Sequence, residues 1–271
     1  MNNKHKLFGI IAMVVVISFS MVSCDTGGDD GKTMPTTAGL YRETETAYIN
    51  TGVAANDIDA AVAYVVDAGN PDGAYTLLLS QNVTNTAQLI LNRANRHLTI
   101  IGLGGEITIQ KNSTSNQGLF NVGGAGLTLG NNITLRGIEL GGNSALVVLN
   151  GGNLTMLAGS KLTGHRISVT DSLAGPAVTV SNASSSFTMH GGEISGNHNN
   201  SFETTLPSGG VRVASGGIII MTGGSITGNT IGTDTPMDVS IATGPSRDNS
   251  SKTGGTVGTS NPEGFATGWP Q

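Results

Sequence analysis

Residues 187–197 read FTMHGGEISGN and residues 219–229 read IIMTGGSITGN, so the chain carries one pattern twice in close succession. Six of the eleven positions are identical, including a central Gly-Gly pair and a final Gly-Asn pair. A repeat with so short a period predicts stacked units, because one short unit cannot bury its own apolar residues. The pattern therefore indicates a fold before it indicates any chemistry.

The repeat belongs to a longer cycle of three short, strand-like apolar stretches. One turn of this cycle holds ALVVL (145–149), NLTM (153–156) and KLT (161–163). Alternate residues of a strand face the same side, so equivalent apolar residues should recur in the core of every turn. The predicted core positions are Leu129, Met156, Met189 and Met221 in the middle strand and Ile133, Leu162, Ile194 and Ile226 in the third strand.

These spacings predict an all-β fold, a right-handed parallel β-helix of about six coils with three short strands in each coil. Each strand should pair with its counterpart one coil away, at about 4.8 Å. The Gly-Gly pairs supply corners, since glycine adopts left-handed backbone and lets neighbouring coils approach closely. Asn197 and Asn229 occupy equivalent corners, and we expect their side-chain amides to hydrogen-bond along the stack.

Composition divides the chain into four parts. Residues 1–23 combine two lysines with a mostly apolar run from Leu7 to Val22, which is typical of an export signal and short for a membrane span. Residues 24–55 are predicted to be a lipidated N-terminus and flexible linker. Residues 56–245 form the predicted β-helix, with a capping helix at 57–68, and residues 246–271 form a polar, Gly-rich C-terminal tail.

Cys24 is the only cysteine, so an intramolecular disulfide is excluded and the fold must be held by packing. The segment 21–24, Met-Val-Ser-Cys, resembles a bacterial lipobox, in which the cysteine becomes the acylated first residue of the mature protein. Met21 departs from that resemblance, because lipoboxes usually carry Leu there. The alternatives are an ordinary cleavage site before Cys24 and an uncleaved membrane anchor. With two or more acyl chains, the lipid would hold the protein stably on a membrane.

Charge and composition limit the classes of partner that the chain is expected to bind. The net charge is −5, charged residues make up 11% of the chain, and no run of Lys or Arg occurs after the export signal. An acidic chain without a basic patch offers nothing to a phosphate backbone, so nucleic acid is excluded as an expected partner. The 41 glycines, together with abundant β-branched residues, suit short strands joined by tight turns.

The stretches LTLGNNITLRGI (127–138) and GGNLTMLAGSKLTGH (151–165), with the two repeats above, resemble the right-handed parallel β-helix repeat lipoproteins of diderm bacteria. Those proteins share an architecture with pectate lyases and with autotransporter passenger domains. The resemblance covers residues 75–242 and implies the fold and a location in the cell envelope. It says little about activity, since this fold carries enzymes and adhesins alike.

Few residues suggest chemistry. His190 and Glu193 flank one Gly-Gly pair, but the next turn carries Thr222 and Ser225 at the same positions, so the repeat does not require them. His198 and Glu203 lie in the polar loop 196–210 and are further candidates for binding a ligand. Acidic residues and histidines are scattered over different turns, so we expect no catalytic residue, no metal site and no cofactor.

These observations favour a non-catalytic, membrane-anchored β-helix lipoprotein, with a structural or adhesin-like role at the cell surface, on the outer membrane. The loops 165–176 and 196–210 leave the coil at equivalent places, so they are the expected binding surface if the chain binds a protein or glycan partner. The alternative is that they are tolerated variations of the surface. Two alternatives remain open. One is a polysaccharide-active lyase or hydrolase, which would gather several carboxylates in a surface groove. The other is a periplasmic scaffold.

Overall fold

A computed structural model describes residues 32–113, 116–139, 142–168, 175–200 and 206–267. The strands, in chain order, are β1 (Gly39–Glu43), β2 (Tyr48–Asn50), β3 (Gly73–Leu79), β4 (Val83–Asn85), β5 (Leu89–Leu91), β6 (Arg96–Gly102), β7 (Ile107–Lys111), β8 (Phe120–Val122), β9 (Gly126–Leu129), β10 (Ile133–Arg136), β11 (Val147–Leu149), β12 (Asn153–Met156), β13 (Ser160–Thr163) and β14 (Arg166–Ile167). They continue as β15 (Val178–Val180), β16 (Ser186–Met189), β17 (Glu193–Ser195), β18 (His198–Asn199), β19 (Val211–Val213), β20 (Ile218–Met221), β21 (Ser225–Ile226), β22 (Thr230–Ile231), β23 (Thr235–Pro236), β24 (Val239–Ile241), β25 (Ser251–Lys252), β26 (Thr256–Val257) and β27 (Ser260–Asn261). The helices are α1 (Ile58–Val66), α2 (Pro245–Asp248) and α3 (Gly264–Thr267).

Parallel pairing between coils confirms the predicted fold class, a β-solenoid of about six turns. The first sheet has the strand order β2-β1-β3-β6-β9-β12-β16-β20-β25. The second has the order β4-β7-β10-β13-β17-β21-β26, and the third has the order β5-β8-β11-β15-β19-β24-β27. A short fourth sheet, β14-β18-β22-β23, lies between the second and third sheets in the chain and was not predicted.

One column of the core consists largely of methionine side chains. Met156 pairs in register with Leu129 on one side and Met189 on the other, and Met189 pairs with Met221. All four side chains are fully buried. Each burial contributes roughly 1.5–3 kcal/mol, and the flexible thioether fills the irregular space between coils. The repeat spacing thus translates directly into a continuous core.

The third-strand column contains one error of register. Leu162 pairs with Ile194, and Ile194 pairs with Ile226, but the partner of Leu162 in the preceding coil is Leu135. The predicted equivalence of Ile133 with Leu162 is therefore wrong, because Ile133 pairs with Ser160. A shift of two residues leaves a side chain on the same face of a strand, which is why Ile133 is nevertheless fully buried.

The N-terminal boundary of the fold also differs from the prediction. Residues 39–50, predicted to belong to a flexible linker at 24–55, form the antiparallel pair β1 and β2. Strand β1 pairs antiparallel with β3 as well, and so adds two strands to the edge of the first sheet. Leu40 and Tyr41 are buried there. An antiparallel hairpin covers the otherwise open edge of the first parallel strand, which is one way of protecting a sheet edge.

Helix α1 begins within the predicted segment 57–68 and packs on the first coils. The Asp57 carboxylate accepts a hydrogen bond from the Ala60 N–H at 2.9 Å, which caps the N-terminus. At the other end the C-cap is Asp67. The buried guanidinium of Arg96 donates to the carbonyls of Val65 and Asp67, at 2.5 and 3.2 Å, and pairs with Asp72 at 2.8 Å. Arg96 thereby supplies the donors that the helix end lacks.

The C-terminal boundary is wrong too. The segment predicted as a tail from residue 246 contains one more set of three strands, β25, β26 and β27, each continuing a parallel sheet. Val257 pairs with Ile226 and extends its buried column. Phe265, on α3, is fully buried and belongs to the same hydrophobic core. The polar composition of this segment is compatible with a coil because its strands are very short.

Helix α1 and the two shorter helices are the helices of the described residues, and none of them is long and apolar enough to cross a membrane.

Candidate functional site

The corner between β16 and β17 shows why a Gly-Gly pair is needed there. A Cβ on Gly191 would lie 2.6 Å from the backbone nitrogen of Ala158, in the preceding coil. Gly192 has φ +83°, a left-handed conformation that favours glycine. Gly191 therefore permits close stacking of the coils, and Gly192 both turns the chain and permits stacking, because a Cβ there would lie 2.6 Å from the Ser160 backbone oxygen.

His190 and Glu193, on either side of this corner, take partners in opposite directions along the axis. A hydrogen bond of 2.7 Å joins His190 Nδ1 to Thr222 Oγ1 in the next coil, and the imidazole is exposed. Glu193 forms an ion pair of 3.2 Å with Lys161 in the preceding coil. The Ser195 hydroxyl, and then Lys161, lower the pKa of Glu193. Each of these two side chains is thus bound to a residue of a neighbouring coil.

A shallow groove of about 550 Å³ lies along this corner. Its lining includes Glu106, Thr134, Lys161, Gly191, Gly192 and Glu193. Glu106 accepts a hydrogen bond from the Thr134 hydroxyl at 2.9 Å. Neither Glu106 nor the pairing of Lys161 with Glu193 was predicted from the sequence. The signal was present, because Lys161 and Glu193 are separated by one turn of the repeat and are in register.

His198 lies in a second polar cluster, on the fourth sheet. It is 8% exposed, and its two ring nitrogens lie 2.8 Å from Thr230 Oγ1 and from Asn200 Oδ1. Arg166, in register with His198, donates to the same Asn200 oxygen at 3.0 Å. Asp234 Oδ1 is 3.5 Å from His198 Nδ1. This cluster joins three successive coils at the base of the segment that follows Asn200.

The bases of the two predicted binding loops are aligned, although residues 169–174 of the first loop and 201–205 of the second lie outside the described residues. Segment 169–174 connects β14 to β15, and segment 201–205, with the candidate Glu203, connects β18 to β19. Strand β14 pairs with β18, and β15 pairs with β19. The described strands that flank one segment therefore lie beside those that flank the other. Cys24 also lies outside the described residues.

The corner asparagines form the predicted ladder, and it contains more members than expected. Asn197 donates its side-chain amide to Asn229 Oδ1 at 2.9 Å, and both residues are buried. In the preceding coil His165 takes the equivalent place, and its backbone N–H donates to Asn197 Oδ1 at 3.1 Å. His165 was not predicted as a member of the ladder, although its position one turn of the repeat before Asn197 marks it as the equivalent residue.

His165 is buried and its hydrogen bonds define its tautomer. Its Nε2 lies 2.9 Å from the carbonyl oxygen of Ser144, so Nε2 carries a proton and donates it. Its Nδ1 accepts a longer hydrogen bond, of 3.5 Å, from the Ile138 N–H. Burial, and to a smaller extent the nearby Lys111, lowers the pKa of His165 to about 4. The neutral ring thereby fastens the segment between β10 and β11 to the coil.

Within the described part of the chain, no three His, Cys, Asp or Glu side chains form a group that could hold a metal ion. Comparisons with family models, curated proteins and solved structures found no match to this chain.

Proposed function

We propose that this chain is a non-catalytic, exported lipoprotein, anchored through Cys24, which serves as a structural or adhesin-like module of the cell surface. In this proposal the solenoid is a stiff support and its loops bind a protein or glycan partner. The alignment of the strands that flank the two loops, β14 with β18 on the fourth sheet and β15 with β19 on the third, is the observation that carries the proposal. Aligned bases hold successive loops in a fixed arrangement, and rigid scaffolds commonly position binding loops in this way.

The use made of polar side chains adds support. His190, Asn197 and Asn229 bind to residues of the adjacent coil or to the next member of a ladder. These hydrogen bonds hold adjacent coils of the solenoid together. A polysaccharide-active enzyme remains the rival proposal, and it would have to draw on Glu106 and Glu193, the two carboxylates of the groove. A periplasmic scaffold is the second rival, which differs in location and shares the structural role.

Two experiments on the full chain in a diderm host test the location. Metabolic labelling with a palmitate analogue should modify the wild type and leave Cys24→Ser unlabelled. Protease added to intact cells should digest the protein, whereas protection until the outer membrane is permeabilised would favour the periplasmic scaffold.

A loop-replacement experiment tests the binding role. Residues 201–205 are replaced by an equally long Gly-Ser segment, and cell-envelope extracts and a glycan array are probed with both proteins. The replacement should abolish partner capture while leaving the Tm close to that of the wild type. The matched control is His190→Ala, an exposed change away from the loop bases, which should retain capture. Equal capture by all three proteins would contradict a loop-based partner site.

A further inference from the structure

We propose that Arg212 is the residue through which the loop surface binds a carboxylate of a protein partner. The inference rests on the binding role proposed for the loops 165–176 and 196–210, and it names the chemistry that their partner must carry. Arg212 is the middle residue of β19, which begins directly after the second loop. Its neighbours Val211 and Val213 are fully buried in the core, so the Arg212 side chain extends from the outer face of the third sheet.

The described ends of both loops are fastened to the strands on either side of Arg212. In the preceding coil Thr179 pairs in register with Arg212, and its hydroxyl oxygen accepts a hydrogen bond from the Gly175 N–H at 2.9 Å. In the following coil Ser240 pairs with Arg212, and its hydroxyl donates to the Pro207 carbonyl. A Cβ on Gly175 would lie only 3.0 Å from the Arg212 Cβ, so the first loop ends directly against this residue.

The guanidinium of Arg212 lacks an acceptor among the described residues. Its Nε is buried without a hydrogen-bond partner, and the ion pairs in this part of the chain do not include it. Burial lowers the pKa of Arg212, as expected for a cation that is withdrawn from water without a counterion. The residue as a whole is only partly buried, so part of the side chain still faces solvent. A ligand that supplies an acceptor would relieve the cost of this unpaired charge.

Arg96 shows what the fold provides for an arginine with a structural role. Its guanidinium donates to three backbone carbonyls near the end of α1 and pairs with Asp72. The polar side chains beside Arg212 are used differently, because Thr179 and Ser240 are bonded to the loop ends. The surroundings of Arg212 therefore fix the loops and leave its guanidinium for a group from outside the chain.

A carboxylate is the anion that fits this arrangement best. The planar guanidinium fork matches the two oxygens of a carboxylate, and such charge-assisted pairs are stronger than neutral hydrogen bonds. Recognition of phosphorylated partners typically uses clusters of arginines, whereas Arg212 has Thr179 and Ser240 as its neighbours in the column. An acidic sugar would gain from an exposed aromatic ring, but Phe120, the aromatic residue of the third sheet, is fully buried. An aspartate or glutamate side chain of a protein partner therefore supplies the missing acceptor.

Isothermal titration of the full chain in detergent with defined probes tests the inference. The first probe is an octapeptide that alternates glycine with glutamate, and its twin carries glutamine in place of glutamate. A phosphoserine octapeptide and hexagalacturonate represent the other anions. The glutamate peptide should bind about tenfold more tightly than its twin, because only the glutamate peptide forms a charge-assisted pair. It should also bind more tightly than the phosphoserine peptide and hexagalacturonate.

Two variants assign the binding to one residue. Arg212→Gln should weaken binding of the glutamate peptide to that of its twin, with a Tm equal to or above that of the wild type, because it removes an unpaired charge. The matched control is Arg247→Gln, since Arg247 also has an unpartnered Nε but lies on α2, outside both loops, and this variant should bind as the wild type does. The NMR resonance of the Arg212 Nε–H, assigned by its absence in Arg212→Gln, should shift when the glutamate peptide is added.

The inference would be overturned by equal binding of the twin peptides or by tighter binding of the phosphoserine peptide or of hexagalacturonate. A lower Tm of Arg212→Gln together with unchanged peptide binding would also overturn it and assign a structural role to the arginine. Replacement of residues 201–205 separates this inference from the proposed function. Arg212-dependent peptide binding that survives the replacement supports the arginine site and contradicts a loop-based partner site. Partner capture that requires the loop and is unchanged in Arg212→Gln supports the loop and overturns the arginine site.

Discussion

Asn229 donates both its backbone N–H and its side-chain amide to Asp238 Oδ1, each at 2.8 Å. The other oxygen of Asp238 accepts two hydrogen bonds from Thr259, each at 2.9 Å. Each asparagine of the ladder donates its side-chain amide to the next member. The last asparagine therefore needs a partner that only accepts hydrogen bonds. A carboxylate is such a group, so the residue that closes the ladder is an aspartate.

The closure of the ladder can be tested with Asp238→Asn. The new amide group would face donors, and a buried donor without an acceptor costs about 1–3 kcal/mol. We expect the free energy of unfolding in urea to fall by that amount. Asp234→Asn is the control, because the Asp234 side chain is 85% exposed and its loss should change stability by less than about 0.5 kcal/mol. Equal effects of the two variants would contradict the closing role.

His165 should make stability depend on pH between about 6.5 and 4. The unfolded chain binds a proton at the ordinary pKa of 6.5, whereas the folded chain holds that pKa at about 4. Stability is therefore fully present above pH 6.5 and declines as the pH falls towards 4, by up to about 3 kcal/mol. Denaturation midpoints measured across this pH range should show the decline.

The matched variant is His165→Asn, which places at this corner the residue type found in the next two coils. It should remove the contribution of His165 to the decline, while His190→Asn should leave it in place because His190 is exposed. An unchanged pH profile in His165→Asn would assign the decline to other groups.

The methionine column predicts a sharp contrast at Met189. Met189→Asp places an unpaired charge at a fully buried position, at a cost of several kcal/mol, and should abolish soluble folding. Met189→Leu keeps a similar volume and resembles the natural Leu129 of the same column, so it should cost less than about 1.5 kcal/mol. Circular dichroism and soluble yield distinguish the two, and a soluble, folded Met189→Asp protein would refute the stacked core.

Substitutions at two glycines distinguish the cost of a left-handed backbone conformation from the cost of a steric clash. Gly192 and Gly228 have φ of +83° and +70°, but a Cβ at Gly228 would meet nothing within 4 Å. Gly228→Ala should therefore cost only the left-handed conformation, about 1–2 kcal/mol. Gly192→Ala should cost clearly more, because its Cβ would also clash with the Ser160 backbone. Thermal unfolding of both variants measures the difference, which would vanish if the coils could separate freely.

The sequence predicts the middle of the solenoid well because stacking converts sequence period into contact. Residues one full turn apart in this region are neighbours in space, which explains the pairing of Met189 with Met221 and of Asn197 with Asn229. The same rule would have identified His165, and Lys161 as the partner of Glu193. The error at Ile133 arose where the spacing changes, so that two apolar residues of one strand, Ile133 and Leu135, both suited the column.

Both ends of the fold were harder to predict, for different physical reasons. The hairpin of β1 and β2 pairs antiparallel with the first coil, so it does not carry the repeat. The last coil keeps the repeat only in very short strands, and its residue beside Met221 is Lys252, where the preceding coils carry Leu or Met. The groove could not be predicted from composition either, because Glu106 and Glu193 line it from different coils.

The one-way asparagine ladder has a consequence for how this protein can change in length. A duplicated turn inserted between Asn197 and Asn229 would present an acceptor to the coil before it and donors to the coil after it. The same turn added beyond Asp238 would meet a carboxylate whose two oxygens already accept four hydrogen bonds. A duplicated turn should therefore be tolerated better between Asn197 and Asn229 than next to Asp238.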